Sequence, residues 1–274
     1  MLTAITRAVS PAIVNCELSF IPRQPIDLRI ASAQHRAYEN LLEKLGVRVV
    51  SLPAQPDLPD SMFVEDPAII LDELAVIFPL GTESRRPEAA TLAQVLSEFR
   101  KLAYVTLPGT LEGGDILRVG SRLFVGLTKR SNAEGVRQLA YILGPHGYEV
   151  IGVEVTGCLH LKSAVTYIGR RQVSGSRATF ATLLANRAWF NTEPFTGFEW
   201  IDVDPTEPHA ANALALGNTI IFPESFPHTR ARIEAAGFHV TQLDISELQK
   251  AESGLTCSSL IFESDISADR EKPK

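Results

Sequence analysis

Short β-branched or aromatic runs with alternating apolar and polar positions recur along the chain: VRVVSLP (47–53), AYVTLPG (103–109), YEVIGVEV (148–155), FEWIDVD (198–204) and FHVTQLD (238–244). Alternation sends successive side chains to opposite faces, so these runs predict strands, each closed by turn residues or an acid. A second set of apolar runs is headed by single polar residues: Asp66 in VEDPAII, Glu112 in LEGGDILRV, His160 in LHLKSAVTYI, Asn212 in AANALAL and Cys257 in TCSSLIF. The heads stand 46, 48, 52 and 45 residues apart by their numbers. That is a repeat of about 48.

Between the strands the spacing changes. Tyr38, Leu41, Leu42 and Leu45, then Leu92, Val95, Leu96 and Phe99, then Val136, Leu139, Ala140 and Leu143 follow i, i+3, i+4, i+7. Each set is one buried stripe of an amphipathic helix. Pro87 suits a first turn, Ser131 with Glu134 reads as a capping box, and Gly46 and Gly144 read as C-terminal stops. VSGSR around Gly175 is not a nucleophile elbow and reads as a turn entering a helix.

The unit is therefore strand, head strand, strand, helix, at a period that suits blades set radially about an axis. The last unit stops after CSSLIF, while AITRAVSP and the helix around Tyr38 have no head of their own. The two ends together complete one unit and close a ring of five. A doubly wound sheet would explain the alternation of strands and helices, but not why every head is polar.

Composition sets the surroundings. The 274 residues are 45% hydrophobic and 21% charged, ample for a core and ordinary for a globular protein. Three widely spaced cysteines, Cys16, Cys158 and Cys257, and an N-terminus without a secretory pattern lead us to expect free thiols in a cytoplasmic protein. A net charge of −6 and no Lys/Arg run speak against nucleic acid, and no apolar stretch has the length of a membrane span. The sequence predicts one domain over 1–263 and a disordered polar tail, SDISADREKPK, over 264–274.

A radial arrangement would bring Asp66, Glu112, His160, Asn212 and Cys257 to one centre. Thiol, imidazole and carboxylate are the parts of covalent catalysis. Each has a plain structural reading by itself: Cys257 as a core thiol, His160 as a satisfied core imidazole, EGGD as a turn. Their common place in the repeat is what joins them. Cys158 and His160, two apart, lack the second Cys/His pair that a zinc site needs, and neither a phosphate loop nor a GxGxxG is present.

The stretches LPDSMFVEDPAII, GTESRR, LEGGDILRVGSRLFVGLTKRSNAEG, LHLKSAVTYI, AANAL and GLTCSSLIF resemble those of the dimethylarginine dimethylaminohydrolases, in order, from about Leu2 to Phe262. That family lies in the guanidine-modifying superfamily with the arginine deiminases and amidinotransferases. The resemblance implies a five-bladed α/β propeller, the pentein fold, of ββαβ units around a central active site. It also implies hydrolysis of Nω-methylated arginines to citrulline and a methylamine without a cofactor. By the same resemblance Cys257 is the nucleophile and His160 the acid and base. Glu112 and Asp66 grip the guanidinium, with Glu65 near that end. Arg85 and Arg130 take the substrate carboxylate, while Asp60 and the main chain at Leu18 meet the α-amino group. From the residues alone, Arg85 and Arg130 read as solvated arginines near helix starts. The loop CELSFIPRQP (16–25), with Pro22 and Pro25, reads as a lid.

The chain departs from the family in one place. Glu252 and Ser253 stand where members often carry an aspartate shortly before the cysteine, which leaves the preferred substrate open. The alternatives are a deiminase acting on arginine or another guanidino compound, and a guanidino-ligand binder without catalysis. The partner expected is the small-molecule substrate; whether the chain pairs as a homodimer is left open.

Overall fold

Both faces of the sheets in this chain are buried, so the two sets of side chains on one strand enter different cores. The computed structural model describes residues 1–172 and 178–264. β1 (Leu2–Arg7), α1 (Leu28–Lys44) and β2 (Arg48–Leu52) come first. Next are β3 (Ala68–Ile70), β4 (Leu74–Ile77), α2 (Glu88–Leu96) and β5 (Lys101–Tyr104), then β6 (Ile116–Val119), β7 (Arg122–Leu127), α3 (Ala133–Leu143) and β8 (Glu149–Glu154). The third full unit is α4 (Leu161–Ala164), β9 (Val165–Gln172), β10 (Thr179–Ala185) and β11 (Glu199–Asp202), with a 3₁₀ turn at Arg187–Trp189 where the others place a helix. β12 (Leu214–Leu216), β13 (Thr219–Pro223), α5 (Pro227–Ala235), β14 (His239–Leu243) and β15 (Leu260–Glu263) complete the order.

The strands form five three-stranded sheets. In each, the middle strand runs antiparallel to the strand behind a polar head and parallel to the third strand. As the repeat implied, the two ends of the chain share a sheet: β1 pairs with β15 antiparallel, Leu2 opposite Glu263, and with β2 parallel.

Period-2 alternation on the middle strands ties each sheet to two neighbours. On β4, Ala75 and Ile77 enter a core with Ile5 and Leu260, while Leu74 and Val76 enter one with Leu123 and Val125 of β7. Phe124, between those two, turns the other way into a core with Leu183 and Ala185 of β10. Leu184 faces Ile220 and Phe222 of β13, and Ile221 returns to Ala4 of β1 and Tyr38 and Leu42 of α1. Five sheets and five cores thus alternate in a closed sequence.

The helix stripes lie as the periodicity predicts at Tyr38, Leu92, Leu96, Leu139 and Leu143, all buried, but Leu45, predicted to close the first stripe, is exposed because α1 ends at Lys44. Several details differ. Asn132, not Ser131, caps α3 by accepting from Gly135 N, because Glu134 is drawn to Arg137 and Gln138. Gly144 is helical and continues into a 3₁₀ turn; the left-handed stop is Gly147, at φ 82°. The strand predicted at 103–109 begins earlier, at Lys101, and its pairing ends near Val105. The turn predicted around Gly175 lies outside the described residues, and the element that follows from Thr179 is strand β10 rather than the expected helix. Ser264, the first residue assigned to the tail, is buried and bonded to Thr3 Oγ1 at 2.8 Å. The rest of the tail lies outside the described residues.

Phe124 is fully buried and stacks on Phe195 with centroids 4.2 Å apart. Phe124→Ala should lower the unfolding free energy by about 3–5 kcal/mol, measured by denaturant titration.

Candidate active site

The five polar heads each stand two to five residues before a strand, on turns rather than within the sheets. These turns are stitched to one another. Gly113 N and Gly114 N donate to the main-chain and side-chain oxygens of Asp66, at 2.9 and 3.2 Å. His160 Nε2 lies 2.7 Å from Glu112 Oε2, and Leu161 N donates to Asp115 Oδ1. Asn212 Nδ2 donates to Lys162 O and its Oδ1 accepts from Thr256 N, both at 3.1 Å. Glu65 N donates to Cys257 O and closes the circuit.

The close approaches explain EGGD. A Cβ on Gly113 would stand 2.0 Å from Glu65 O, and one on Gly114 would stand 2.5 Å from His160 Nδ1. Gly254 is similar, since its Cβ would meet Asn212 Cγ at 2.4 Å. These glycines are needed for proximity rather than for a turn angle.

Cys257 and His160 line one cavity of about 280 Å³, together with Glu65, Lys162, Asn212 and Gly254. Gly254 N points at Cys257 Sγ, 3.4 Å away. Burial, with Glu65 and Asp66 nearby, pushes the thiol up to about 12, so it rests protonated at neutral pH. His160 behaves in the opposite way. Burial disfavours its charge, but Asp66, Asp115 and the bond to Glu112 outweigh it and push its pKa up to about 9. Glu112 is held down to about 2: burial opposes ionisation, while His160, Arg85 and Arg130 favour it. The result is an imidazolium–carboxylate pair beside a neutral thiol.

The other expected site residues divide into two groups. Glu65 reaches the cavity, where it forms a short ion pair with Lys162 and accepts from Thr256 Oγ1 at 2.8 Å. Burial raises its pKa despite Lys162. Asp66, Arg85, Glu112 and Arg130 form a buried network behind His160 and do not line that cavity. Arg85 clasps Glu88 through two bonds, at 3.0 and 2.9 Å, and Asp66 through a third at 2.9 Å. Arg130 reaches both oxygens of Glu112 at 3.3 Å and donates to Ser19 Oγ. Neither arginine is solvated, which overturns the plain reading of both; each is nearly buried because carboxylates draw it inward. In this state Arg85 and Arg130 are bound to protein carboxylates, and Glu112 is bonded to His160 and Arg130. Asp60 accepts from Glu17 N at 3.1 Å, and burial raises its pKa. Leu18, beside it, packs on the core around Ile13 and Tyr38. The donor atoms of Asp66, Glu112 and His160 fall within 4.8 Å of one another, but Arg85 and Arg130 already occupy the two carboxylates.

Sequence reasoning missed Lys162, Asp115, Thr256 and Glu88. Lys162 and Asp115 had a signal, since each lies within three residues of a head; Glu88, at a helix start, had none. The missed Lys162–Glu65 pair forms a floor: those residues and Thr256 also line a second cavity of about 570 Å³ on the far side, among Ile69, Leu117 and Tyr167. Altogether six buried carboxyls (Asp60, Glu65, Asp66, Glu88, Glu112, Asp115) face Arg85, Arg130, His160 and Lys162. The imbalance favours a cationic ligand.

A cysteine and a histidine–carboxylate pair amid five three-stranded sheets fit the arginine deiminase class, and the family model described as arginine deiminase matches residues 54–194. A dimethylarginine dimethylaminohydrolase of Pseudomonas aeruginosa is 34% identical over 238 residues, covering 86% of this chain and 90% of its own. One from Streptomyces coelicolor is 32% identical, covering 94% and 95%. The P. aeruginosa enzyme solved as a cysteine-to-serine mutant with citrulline superposes with a TM-score of 0.86 at 32% identity, over 95% of this chain and 98% of that one. The chain belongs to the dimethylarginine dimethylaminohydrolase family. No helix among the described residues is long and apolar enough to cross a membrane.

The His160–Glu112 pair makes stability depend on pH. A raised His160 pKa contributes stability that is complete below its unfolded value of 6.5 and lost as pH rises through about 9. The difference in unfolding free energy between the native protein and His160→Asn should therefore be largest near about pH 6 and shrink by about pH 10 in denaturant titrations.

Proposed function

We propose that the protein hydrolyses Nω-methylated arginines to citrulline and methylamine or dimethylamine through a covalent intermediate on Cys257. The observation that carries this is the single cavity shared by Cys257 and His160, with His160 held by Glu112, in a chain of this family. The five sheets and their closed sequence of cores support a five-bladed propeller, one domain over 1–263, with the site on its axis.

A guanidinium is planar and always protonated, hence a poor electrophile. Buried carboxylates hold its plane, and its charge offsets Glu65 and Asp66, which add to burial in keeping the Cys257 thiol neutral. With the cation bound, Cys257 releases its proton to solvent, since His160 already carries one, and the thiolate adds to the guanidinium carbon. His160, protonated at rest, gives its proton to the departing amine as the C–N bond breaks, leaving an S-alkylthiouronium. The neutral imidazole then takes a proton from water, and the hydroxide adds to the same carbon. The carbon-bound hydroxyl gives up its proton as the C–S bond breaks, citrulline forms, and that proton restores the Cys257 thiol. Glu112 keeps Nε2 oriented throughout and stabilises the imidazolium.

Arg130 and Arg85 reach the substrate carboxylate by exchanging protein carboxylates for it, with Asp60 and the Leu18 main chain at the α-amino group. Arginine itself is the second reading, favoured by the match to the arginine deiminase model. Release of ammonia rather than a methylamine separates the two.

Citrulline should form from asymmetric dimethylarginine and monomethylarginine faster than from arginine. Cys257→Ser should lower turnover by at least about 10³-fold while still binding substrate, because the alcohol is the weaker nucleophile. Turnover of the serine variant at the native rate would exclude the covalent route. Gly114→Ala pushes a methyl group against His160 Nδ1 and should reduce kcat by about 10²-fold with smaller effect on KM; steady-state kinetics reads both.

A further inference from the structure

Glu252 has a positive φ, 56°, alone among the described non-glycine residues. The left-handed region is disfavoured for any residue with a Cβ, so something outside the local backbone holds it there. Its carboxylate accepts from three consecutive backbone N–H groups of the loop over the cavity: Ser19 at 2.9 Å, Phe20 at 2.5 Å and Ile21 at 2.8 Å. Successive N–H groups aimed at one point form a nest for an anion, and here the anion belongs to the protein.

Both ends of this contact lead to the reacting groups. Glu252 lies five residues before Cys257 and lines the same cavity, and so do Phe20 and Ile21. On the loop side, Ser19 Oγ accepts from Arg130, which holds Glu112, which holds His160. Further anchors lie at the ends of the loop: Arg23 donates to Val14 O and Cys16 O at 2.6 Å, and Glu17 donates its N–H to Asp60 at 3.1 Å and accepts from Ser84 Oγ at 2.6 Å. The side-chain bonds that fasten the tip of the loop across the cavity are therefore Glu252 and, through Ser19, Arg130.

We propose that Glu252 is a latch, a positioning residue that holds loop 17–23 closed over Cys257 and His160. It spans the gap from the cysteine turn to the loop, and the extra methylene relative to aspartate supplies the reach. Without it the loop rests open, and substrate binding must drive closure. The cost falls on KM more than on kcat, because a bound substrate restores the closed state. The kinetic part rests on the methylarginine reading above; the loop part does not.

Two variants keep the test independent of folding. Glu252→Gly suits the left-handed backbone while removing the carboxylate. Glu252→Gln keeps the shape but loses the charge and one acceptor oxygen. Hydrogen exchange of the native protein and both variants should show the amides of Ser19, Phe20 and Ile21 exchanging at least about tenfold faster in Glu252→Gly and to a lesser degree in Glu252→Gln, with β1 and β15 still protected. KM for monomethylarginine should rise about tenfold in Glu252→Gly with kcat within about threefold. Unchanged exchange at 19–21 overturns the latch. So does loss of protection spread over β1 and β15, which would make Glu252 a residue of general stability. If the native protein turns over no methylarginine, the substrate reading fails and the exchange experiment still decides the latch.

Discussion

A carboxylate removed from water must find a cation or several N–H donors, and the centre of this protein holds six of them. Three are met from the next unit, Glu112 by His160, Asp66 by Gly114 and Asp115 by Leu161, and Glu65 is met from the unit after that by Lys162, while Glu88 pairs with Arg85 of its own helix start. Because the partners come from successive units, satisfying these charges fixes the units relative to one another. The apolar cores supply the driving force for burial, but they do not specify which turn faces which. The polar centre does, and in doing so it sets the distance between imidazole and carboxylate at 2.7 Å.

The same charges account for the resting state. A thiolate beside Glu65 and Asp66 would add negative charge where there is already an excess, so the thiol stays neutral and His160 stays protonated. A neutral thiol is the less reactive form toward alkylation and oxidation, since the thiolate is the nucleophile. Only a ligand that brings its own positive charge reverses the balance, which makes substrate charge part of the selection of substrate.

Much of this was legible in the sequence. The 45-to-52-residue spacing of Asp66, Glu112, His160, Asn212 and Cys257 reflects one structural unit with its head at a fixed place, and periodicity survives any detail of packing. The pairing of the chain ends followed from the incomplete last unit. Partner choice was not legible. Nothing local distinguishes Arg85 as a residue that turns inward to Glu88 and Asp66, because that depends on where Asp66 arrives after folding. Cap identity failed for a related reason: Ser131 has the right chemistry for a helix start, but its hydroxyl accepts from Glu112 N instead. Asn212 joined the heads by position, and its work proved to be structural, clamping the cysteine turn to Lys162.

The pairing of β1 with β15 bears on how the chain is made. During synthesis β1 emerges with one edge lacking its antiparallel partner, and it remains so until nearly the whole sequence has left the ribosome. The segment that fills that edge begins three residues after Cys257. Cys257 and the closing strand therefore arrive together, after the imidazole, the carboxylates and both arginines have been made. The pairing that seals the fifth sheet thus also brings Cys257 to the cavity it shares with His160, so one event completes both.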